Sequence, residues 1–377
     1  MTQTATPGTD MLEAETAAQP PDLRCKGLTK TFGRNTVVDH IDFDVLPGEF
    51  VSIVGPSGCG KTTTLRMIAG LEEVTSGAVF LRGRDVTSLA PERRNTAMVF
   101  QSYALFPHMS VLQNVAFGLR MRKVGRTEAR ERAREALKRA RLEGFDERKP
   151  SQLSGGQRQR VAVARALVVE PDVLLLDEAL TNLDRRLRQE LQLELKRLQQ
   201  ELGITSLFVT HDQEEALTLS DRVIVMDRGG IAQVAPPREI YDRPASAFVA
   251  GFIGESNRFP GSVSCLLDGG RCSVKTEDGV ELTGPGEGVD VGHGCAAVVR
   301  PRNVLVRREP VEGMNNLPGV VTVWGYKGDS YEYVVQLTGG RLIHAMVPRR
   351  DAEPEAGAAV YVVIDPEDVY ILPEDLS

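Results

Sequence analysis

The residues with the clearest chemical potential lie in one short segment that combines glycines, a lysine and hydroxyl side chains. The segment, Gly55-Pro56-Ser57-Gly58-Cys59-Gly60-Lys61-Thr62, matches the phosphate-loop pattern GxxxxGK[ST]. Glycines let backbone N–H groups close around phosphate oxygens, and the N-terminus of a following helix adds partial positive charge. Lys61 would bring a full charge to those oxygens, Thr62 a hydroxyl to Mg²⁺, and Thr63 a hydroxyl to phosphate. The pattern therefore predicts a nucleotide-phosphate site in which Cys59 fills space.

Two neighbouring acids, Asp177 and Glu178, end the apolar run 173–176, which is typical of a buried strand. One carboxylate at such a strand end can hold Mg²⁺, directly or through water. A second carboxylate beside it can orient or deprotonate an attacking water molecule. Two acids after a strand are only moderately specific alone, but together with a phosphate loop they indicate nucleotide hydrolysis.

A third element, Leu153-Ser154-Gly155-Gly156-Gln157, precedes the helical pattern of residues 161–168. A serine and two glycines at a helix N-terminus form another anion site. One chain thus carries two such sites, well separated in sequence, and one active site does not obviously need both. A symmetric dimer in which each chain lends its second site to the other's nucleotide resolves the duplication.

The order of these motifs resembles that of the nucleotide-binding subunits of ATP-binding cassette (ABC) transporters. The shared order is the phosphate loop, Gln101, LSGGQ, the acidic strand end, Thr181-Asn182-Leu183-Asp184 and His211. The LSGGQ element is the most specific, since phosphate loops occur in many NTPase families. The resemblance extends from residue 22 over nearly the whole chain. It implies ATP hydrolysis, with ATP and Mg²⁺ as cofactors, by a homodimer that sandwiches two ATP molecules.

The resemblance also assigns roles to single residues outside the phosphate loop. Phe32 is placed like the aromatic side chain that stacks on adenine, although it could instead be an ordinary core residue. Gln101 resembles the glutamine that touches Mg²⁺ or water and senses the permease, and His211 resembles the histidine that contacts the γ-phosphate. Taken alone, Gln101 and His211 would be unremarkable polar residues. Thr62, Gln101 and Asp177 form the implied metal-binding set.

Around the acidic strand end the resemblance assigns Glu178 as the catalytic carboxylate. Asp184 would close the loop that communicates across the dimer. Related importer subunits often read Asp-Glu-Pro-Leu-Ser-Asn-Leu-Asp, whereas this chain has Ala179 in place of the proline and Thr181 in place of the serine. Threonine keeps the hydroxyl, and alanine leaves that turn less rigid in φ.

The elements that must position these residues change in character along the chain. Residues 1–21, rich in Thr, Ala, Pro and acids, are predicted to form a disordered tail. Residues 22–255 alternate short β-branched runs with helical patterns, which predicts an α/β ATPase domain, with a helical subdomain at about 102–168. The arginines of its charged segment 126–141 are interspersed with glutamates, which favours a solvated helix face over RNA binding. Residues 256–377 are predicted to form an all-β barrel domain. The resemblance implies that this barrel is OB-like and regulatory.

Composition excludes several classes of protein. The 377 residues include 45 Lys+Arg and 52 Asp+Glu, a net charge of -7, which argues against a dedicated nucleic-acid binder. No segment approaches the roughly 18 consecutive apolar residues of a membrane-spanning helix. No signal peptide is visible at the N-terminus. The five cysteines show no CxxC spacing, so a reducing cytosol is expected. If the protein acts at a membrane, we expect it to act at the cytoplasmic face and through a partner protein.

Among ABC proteins, the chain resembles an importer ATPase. Exporters commonly fuse membrane helices to the ATPase, translation proteins carry two cassettes, and DNA-repair relatives carry long insertions. Residues 99–111 resemble a permease-docking region, and Glu255-Ser256-Asn257 and Arg300-Pro301 resemble marks of the appended C-terminal domain. The implied partners are two permease subunits and, indirectly, an extracytoplasmic solute-binding protein.

The transported solute is the least determined feature. Residues 326–333 resemble the barrel domains of polyamine and iron importers, and spermidine/putrescine uptake is the preferred interpretation. Iron(III), thiamine, phosphonate and sugar uptake share most of the remaining features. A different class also stays open, in which the C-terminal domain makes the chain chiefly a regulatory protein-binding module.

Overall fold

The computed structural model describes residues 20–178, 185–286, 288–350 and 355–373. Strands in these ranges are β1 (Leu23–Phe32), β2 (Asn35–Val45), β3 (Phe50–Val54), β4 (Ser76–Leu81), β5 (Arg84–Asp85), β6 (Thr96–Val99), β7 (Val173–Asp177), β8 (Thr205–Val209), β9 (Arg222–Asp227), β10 (Gly230–Ala235), β11 (Asn257–Leu267), β12 (Arg271–Thr276), β13 (Glu281–Pro285), β14 (Gly294–Val299), β15 (Val304–Arg307), β16 (Asn315–Tyr326), β17 (Ser330–Leu337), β18 (Leu342–Pro348), β19 (Ala359–Ile364) and β20 (Tyr370–Pro373). Helices there are α1 (Lys61–Ala69), α2 (Val111–Met121), α3 (Arg126–Arg139), α4 (Gly155–Leu167), α5 (Arg185–Leu202), α6 (Gln213–Leu219), α7 (Pro237–Asp242) and α8 (Ala247–Phe252).

A six-stranded sheet in the order β10-β9-β3-β8-β7-β6 forms the centre of the N-terminal part. Its strands run parallel, apart from β10, which pairs antiparallel with β9. Every residue of β3, β7 and β8 is buried, as expected where both faces of a parallel sheet are covered. Because these strands are parallel, their carboxyl ends meet at one edge, where such sheets bind ligands.

A second, antiparallel sheet in the order β2-β1-β4-β5 packs with α1 against one side of the central sheet. The shared core is apolar and draws on both sheets and the helix. Its members include Leu23, Val38, Ile53, Leu65, Ile68, Val79 and Leu207.

Helices α2, α3 and α4 form a separate layer with its own apolar cluster. On α3 the buried residues are Ala129, Ala133 and Leu137, a narrow stripe at four-residue spacing along an otherwise charged helix. Both α2 and α4 begin with a capping box, Ser110 with Gln113 and Ser154 with Gln157.

The C-terminal part consists of two five-stranded antiparallel sheets, β13-β12-β11-β14-β20 and β15-β19-β16-β17-β18. One apolar core, which includes Phe259, Val274, Val321, Tyr333 and Val362, lies between them. Buried residues alternate with partly or fully exposed ones along β17, as expected for a sheet with one face on a core. The all-β architecture expected from the sequence is confirmed.

Arg300 joins the two parts of the chain. Its side chain is completely buried, and its guanidinium donates to the carbonyl oxygens of Ala250 at 2.6 Å and Tyr241 at 3.2 Å. It also stacks on the Tyr241 ring, with 4.4 Å between the guanidinium carbon and the ring centroid. The last two helices of the N-terminal part are thereby tied to the C-terminal strands.

None of the helices in the described ranges is long and apolar enough to cross a membrane.

Candidate active site

The phosphate loop connects β3 to α1, and its glycines are required by close backbone neighbours. A Cβ on Gly55 would lie 2.3 Å from the Met226 carbonyl oxygen, and one on Gly60 would lie 2.6 Å from the Val37 carbonyl oxygen. Gly60 also has a φ of 104°, which is unfavourable for residues with a side chain. The loop therefore keeps its shape only with glycine at these positions.

Lys61 lies across this loop with only 7% of its surface exposed. Its Nζ donates to the carbonyl oxygens of Gly55 at 2.7 Å and Pro56 at 2.8 Å. Helix α1 begins at Lys61 without a side-chain cap, in contrast to α2 and α4. The N-terminal amides of α1 and the lysine charge together form an anion-binding site. Burial raises the pKa of the Cys59 thiol, which favours its neutral form and its role as a space-filling residue.

Asp177 ends β7 beside this loop and accepts a hydrogen bond from Thr62, with 3.4 Å between Thr62 Oγ1 and Asp177 Oδ1. Burial raises the pKa of Asp177, Arg66 opposes this rise, and the charge of Glu178 adds to it. A hydroxyl and a carboxylate are hard oxygen donors of the kind that suit Mg²⁺. Within the described ranges, no group of three or more His, Cys, Asp or Glu side chains is placed to hold a metal ion.

The burial of Asp177 has a measurable consequence for stability. A carboxyl whose pKa is raised on folding lowers the free energy of unfolding as the pH rises through the window between its unfolded and folded pKa values. Asp177→Asn keeps the acceptor for Thr62 and removes this cost, so we expect Tm at pH 7.5, without Mg²⁺, to rise by about 2–4 °C. The gain should shrink as the pH is lowered toward about 4, where both states are increasingly protonated. Calorimetry tests this, with the exposed Asp268→Asn as control, and an unchanged or lower Tm would contradict it.

Glu178 lies at the centre of a second cluster at the same sheet edge. Its Oε2 accepts from Gln101 Nε2 at 2.9 Å, and its Oε1 lies 3.4 Å from His211 Nδ1. Gln101 follows β6, Glu178 follows β7 and His211 follows β8, which are adjacent strands. The backbone N–H of Glu178 donates to the Val209 carbonyl oxygen at 2.9 Å, and its φ of 45° is left-handed. Such backbone strain is typical of functional positions.

Ser154 and Gln157 form a reciprocal cap at the start of α4. Ser154 Oγ accepts from the Gln157 backbone N–H at 3.3 Å, and Gln157 Oε1 accepts from the Ser154 backbone N–H at 3.0 Å. The serine hydroxyl keeps its own proton for an external acceptor. In the part of the chain that the structure describes, no hydrogen bond or ion pair joins residues 154–157 to residues 55–63.

Phe32 ends β1 with 48% of its surface exposed, which excludes the alternative that it is a core residue. Lys30 Nζ lies 4.7 Å from the centre of its ring. That lysine is held by Glu72 Oε1 at 2.6 Å and by the Glu73 carbonyl oxygen at 2.7 Å. An exposed ring beside a fixed cation offers an open face for stacking.

One predicted residue, Asp184, lies outside the described residues, as do Ala179 and Thr181.

Sequence reasoning missed the groups that hold the loop carrying His211. Thr210 Oγ1 donates to the buried Glu215 at 2.6 Å, and Arg188 Nη1 on α5 lies 3.1 Å from Asp212 Oδ2. Burial raises the pKa of Glu215. The available signal was Asp212 followed, after Gln213, by Glu214 and Glu215, which is typical of a helix start, and Asp212 indeed caps α6.

Comparison with known proteins shows the family to which the chain is similar. Residues 38–181 match the ABC transporter family, and residues 297–372 match the TOBE domain. The spermidine/putrescine import ATP-binding protein PotA of Rubrobacter xylanophilus is 48% identical over 95% of this chain and 96% of its own length. The Fe(3+) ions import ATP-binding protein FbpC 1 of Rhizobium meliloti is 49% identical over 87% of this chain and 91% of its own length.

Solved structures are similar over the N-terminal part. The ATP-binding cassette MJ0796, in a dimeric post-hydrolysis state bound to ADP and Pi, has a TM-score of 0.52 and 35% identity over 57% of this chain and 99% of its own. The protein cbiO1 of Clostridium perfringens, part of the ABC transporter complex cbiONQ, has a TM-score of 0.55 and 32% identity over 58% of this chain and 90% of its own. The expected fold class and ATPase class are thus confirmed. This chain belongs to the import ATP-binding proteins of the ABC transporter family.

Proposed function

We propose that this ATPase energises uptake of polyamines, with the cluster around Glu178 as its hydrolytic centre. The convergence of Gln101, Glu178 and His211 beside the phosphate loop carries the assignment of the hydrolytic centre. A carboxylate within 3.4 Å of both an amide and an imidazole nitrogen can hold and deprotonate a water molecule. In this scheme Glu178 takes the proton, Gln101 orients the water, and His211 contacts the γ-phosphate.

Charge neutralisation is assigned to the residues of the phosphate loop. Lys61 and the first amides of α1 bind the β- and γ-phosphates, while Thr63 adds a hydroxyl and Phe32 stacks on adenine. Thr62, Gln101 and Asp177 would hold Mg²⁺, and the ion would supply positive charge that neutralises the phosphates.

The second anion site completes the nucleotide pocket of a partner chain. Ser154, Gly155, Gly156 and Gln157 of one protomer bind the ATP held by the phosphate loop of the other, and Asp184 communicates across the interface. The dimeric cassette among the similar structures supports this arrangement. Closure of this homodimer would move two permease subunits at the cytoplasmic face of the membrane, which receive solute from an extracytoplasmic binding protein.

The solute assignment rests on similarity to spermidine/putrescine import proteins, which are 47–48% identical over most of the chain. The similarity to an Fe(3+) import protein favours iron(III) as the second candidate. In cells lacking this chain, we expect the wild-type chain to restore uptake of labelled spermidine and putrescine, and Glu178→Gln to fail. Restoration of iron(III) uptake alone would overturn the polyamine assignment.

A further inference from the structure

The loop that follows Gln101 contains two consecutive residues in an unfavourable backbone conformation. Tyr103 has a φ of 61° and Ala104 a φ of 47°, and neither is glycine. Left-handed conformations cost free energy for residues with a Cβ and persist where surrounding structure enforces them. Some contact must therefore stabilise this loop.

Arg165 on α4 makes that contact. Its Nη1 donates to the Ala104 carbonyl oxygen at 2.7 Å, and its Nη2 donates to the Tyr103 carbonyl oxygen at 2.9 Å. One planar guanidinium thus binds the carbonyl oxygens of both left-handed residues, which the rigid fork geometry of arginine allows. The guanidinium also lies 5.7 Å from the centre of the Phe106 ring.

The charge of Arg165 is directed at the loop rather than at an acid. Burial lowers its pKa, and within the described ranges no carboxylate lies within ion-pair distance of it. Desolvating a cation is costly unless hydrogen bonds compensate. The two carbonyl oxygens are the compensation that the structure shows.

The far side of the loop is anchored independently to α2. Asn114, which is completely buried, accepts from the Phe106 backbone N–H at 2.8 Å and donates to the Phe106 carbonyl oxygen at 3.1 Å. Phe106 also packs on Phe117 with 4.6 Å between ring centroids. The Tyr103 side chain packs into the neighbouring apolar core, and Arg165 adds the side-chain hydrogen bonds to the carbonyl oxygens of residues 103 and 104.

The position of Arg165 on α4 connects two parts of the site. At about 1.5 Å per residue, Arg165 lies roughly 15 Å along the helix from Gly155, where the second anion site begins. Gln101, which precedes the loop that Arg165 contacts, donates a hydrogen bond to Glu178. We propose that Arg165 is a positioning residue that ties the Gln101 loop to α4, so that the loop and the second anion site move as one body.

This inference rests on the proposed roles of Gln101 and Ser154, and its first test is kinetic. We expect Arg165→Met to lower the kcat for ATP hydrolysis about 10- to 100-fold and to change the KM for ATP less than about threefold, because misplaced groups slow chemistry more than binding. Arg165→Lys keeps the charge and can donate to only one of the two carbonyl oxygens in this geometry. Its kcat should therefore lie between those of the wild type and Arg165→Met. Equal kcat values for all three proteins would overturn the proposal.

A rescue experiment separates positioning from general destabilisation. Glycine adopts the left-handed conformation without steric cost, so Ala104→Gly should recover about fivefold or more of the kcat lost in Arg165→Met. Ser102→Gly, in the same loop at a position without positive φ, is the matched control and should recover nothing. Equal recovery by both glycine variants, or recovery by neither, would contradict the specific role.

Hydrogen exchange supplies a readout that does not require activity. The Tyr103 backbone N–H donates to the Phe100 carbonyl oxygen at 2.9 Å, so its exchange reports on the loop. We expect exchange in residues 103–106 of the isolated chain to be at least about tenfold faster in Arg165→Met, with the amides of the central strands unchanged. If the wild-type protein proves inactive, the proposed function fails, but hydrogen exchange still tests whether Arg165 holds the Gln101 loop against α4. Unaltered exchange in residues 103–106 would rule the tie out.

Discussion

Glu178→Gln should lower ATP hydrolysis by about 10²–10⁴-fold, the usual contribution of a positioned general base, while ATP binding persists. Glutamine matches the size of glutamate and can still contact Gln101 and His211, but it cannot take a proton from water. The neighbouring Lys61 and α1 N-terminus do not depend on this carboxylate, so the nucleotide should still be held. The loss is therefore expected in kcat.

The measurement is the ATPase rate in the assembled transporter, together with nucleotide affinity of the isolated subunit. Glu214→Gln is a suitable control, since that side chain is exposed at the start of α6, three residues after His211. The control should retain wild-type turnover. Unchanged turnover in Glu178→Gln would remove Glu178 from its proposed role, and lost binding would mean that the variant had damaged the pocket.

A mixture of Ser154→Arg and Lys61→Ala subunits should hydrolyse ATP although each variant alone does not. In the mixed dimer one pocket combines the intact Lys61 of the first chain with the intact Ser154 of the second. The other pocket carries both lesions, so a purified mixed dimer should retain at most about half of the wild-type rate. Arginine at 154 would disrupt the cap and crowd the glycine-rich turn that follows it.

The control for this experiment places both changes in one chain and pairs it with the wild type. If Ser154 acts across the dimer, each pocket of that pair carries one lesion and the pair should be inactive. If Ser154 acted within its own chain, the wild-type subunit of this pair would remain active. The mixture of Ser154→Arg with Lys61→Ala subunits would then be inactive. Two differently tagged subunits allow each mixed dimer to be isolated before its ATPase rate is measured. The opposite pattern of activities would refute the cross-dimer arrangement.

Short motifs were predictable where the chemistry depends on neighbouring residues. The glycines, Lys61 and Thr62 form the phosphate loop within one strand–turn–helix unit. Ser154 and Gln157 lie within one helical turn at the start of α4. The position of two acids at the end of β7 was likewise predictable from the apolar run before them. For Phe32 the sequence left two interpretations open, because the exposure of one side chain depends on which elements cover it.

The chain alone thus determined the local binding elements, because backbone conformation and hydrogen bonding over a few residues set them. Only the tertiary structure decided which of these elements meet. The strand order β8-β7-β6 brings His211, Glu178 and Gln101 together, although 77 residues separate the last two. The packing of α4 beside the Gln101 loop likewise lets Arg165 donate hydrogen bonds to carbonyl oxygens 61 and 62 residues away. Such contacts arise from the pairing of strands and the packing of helices across the whole domain, which no local pattern encodes.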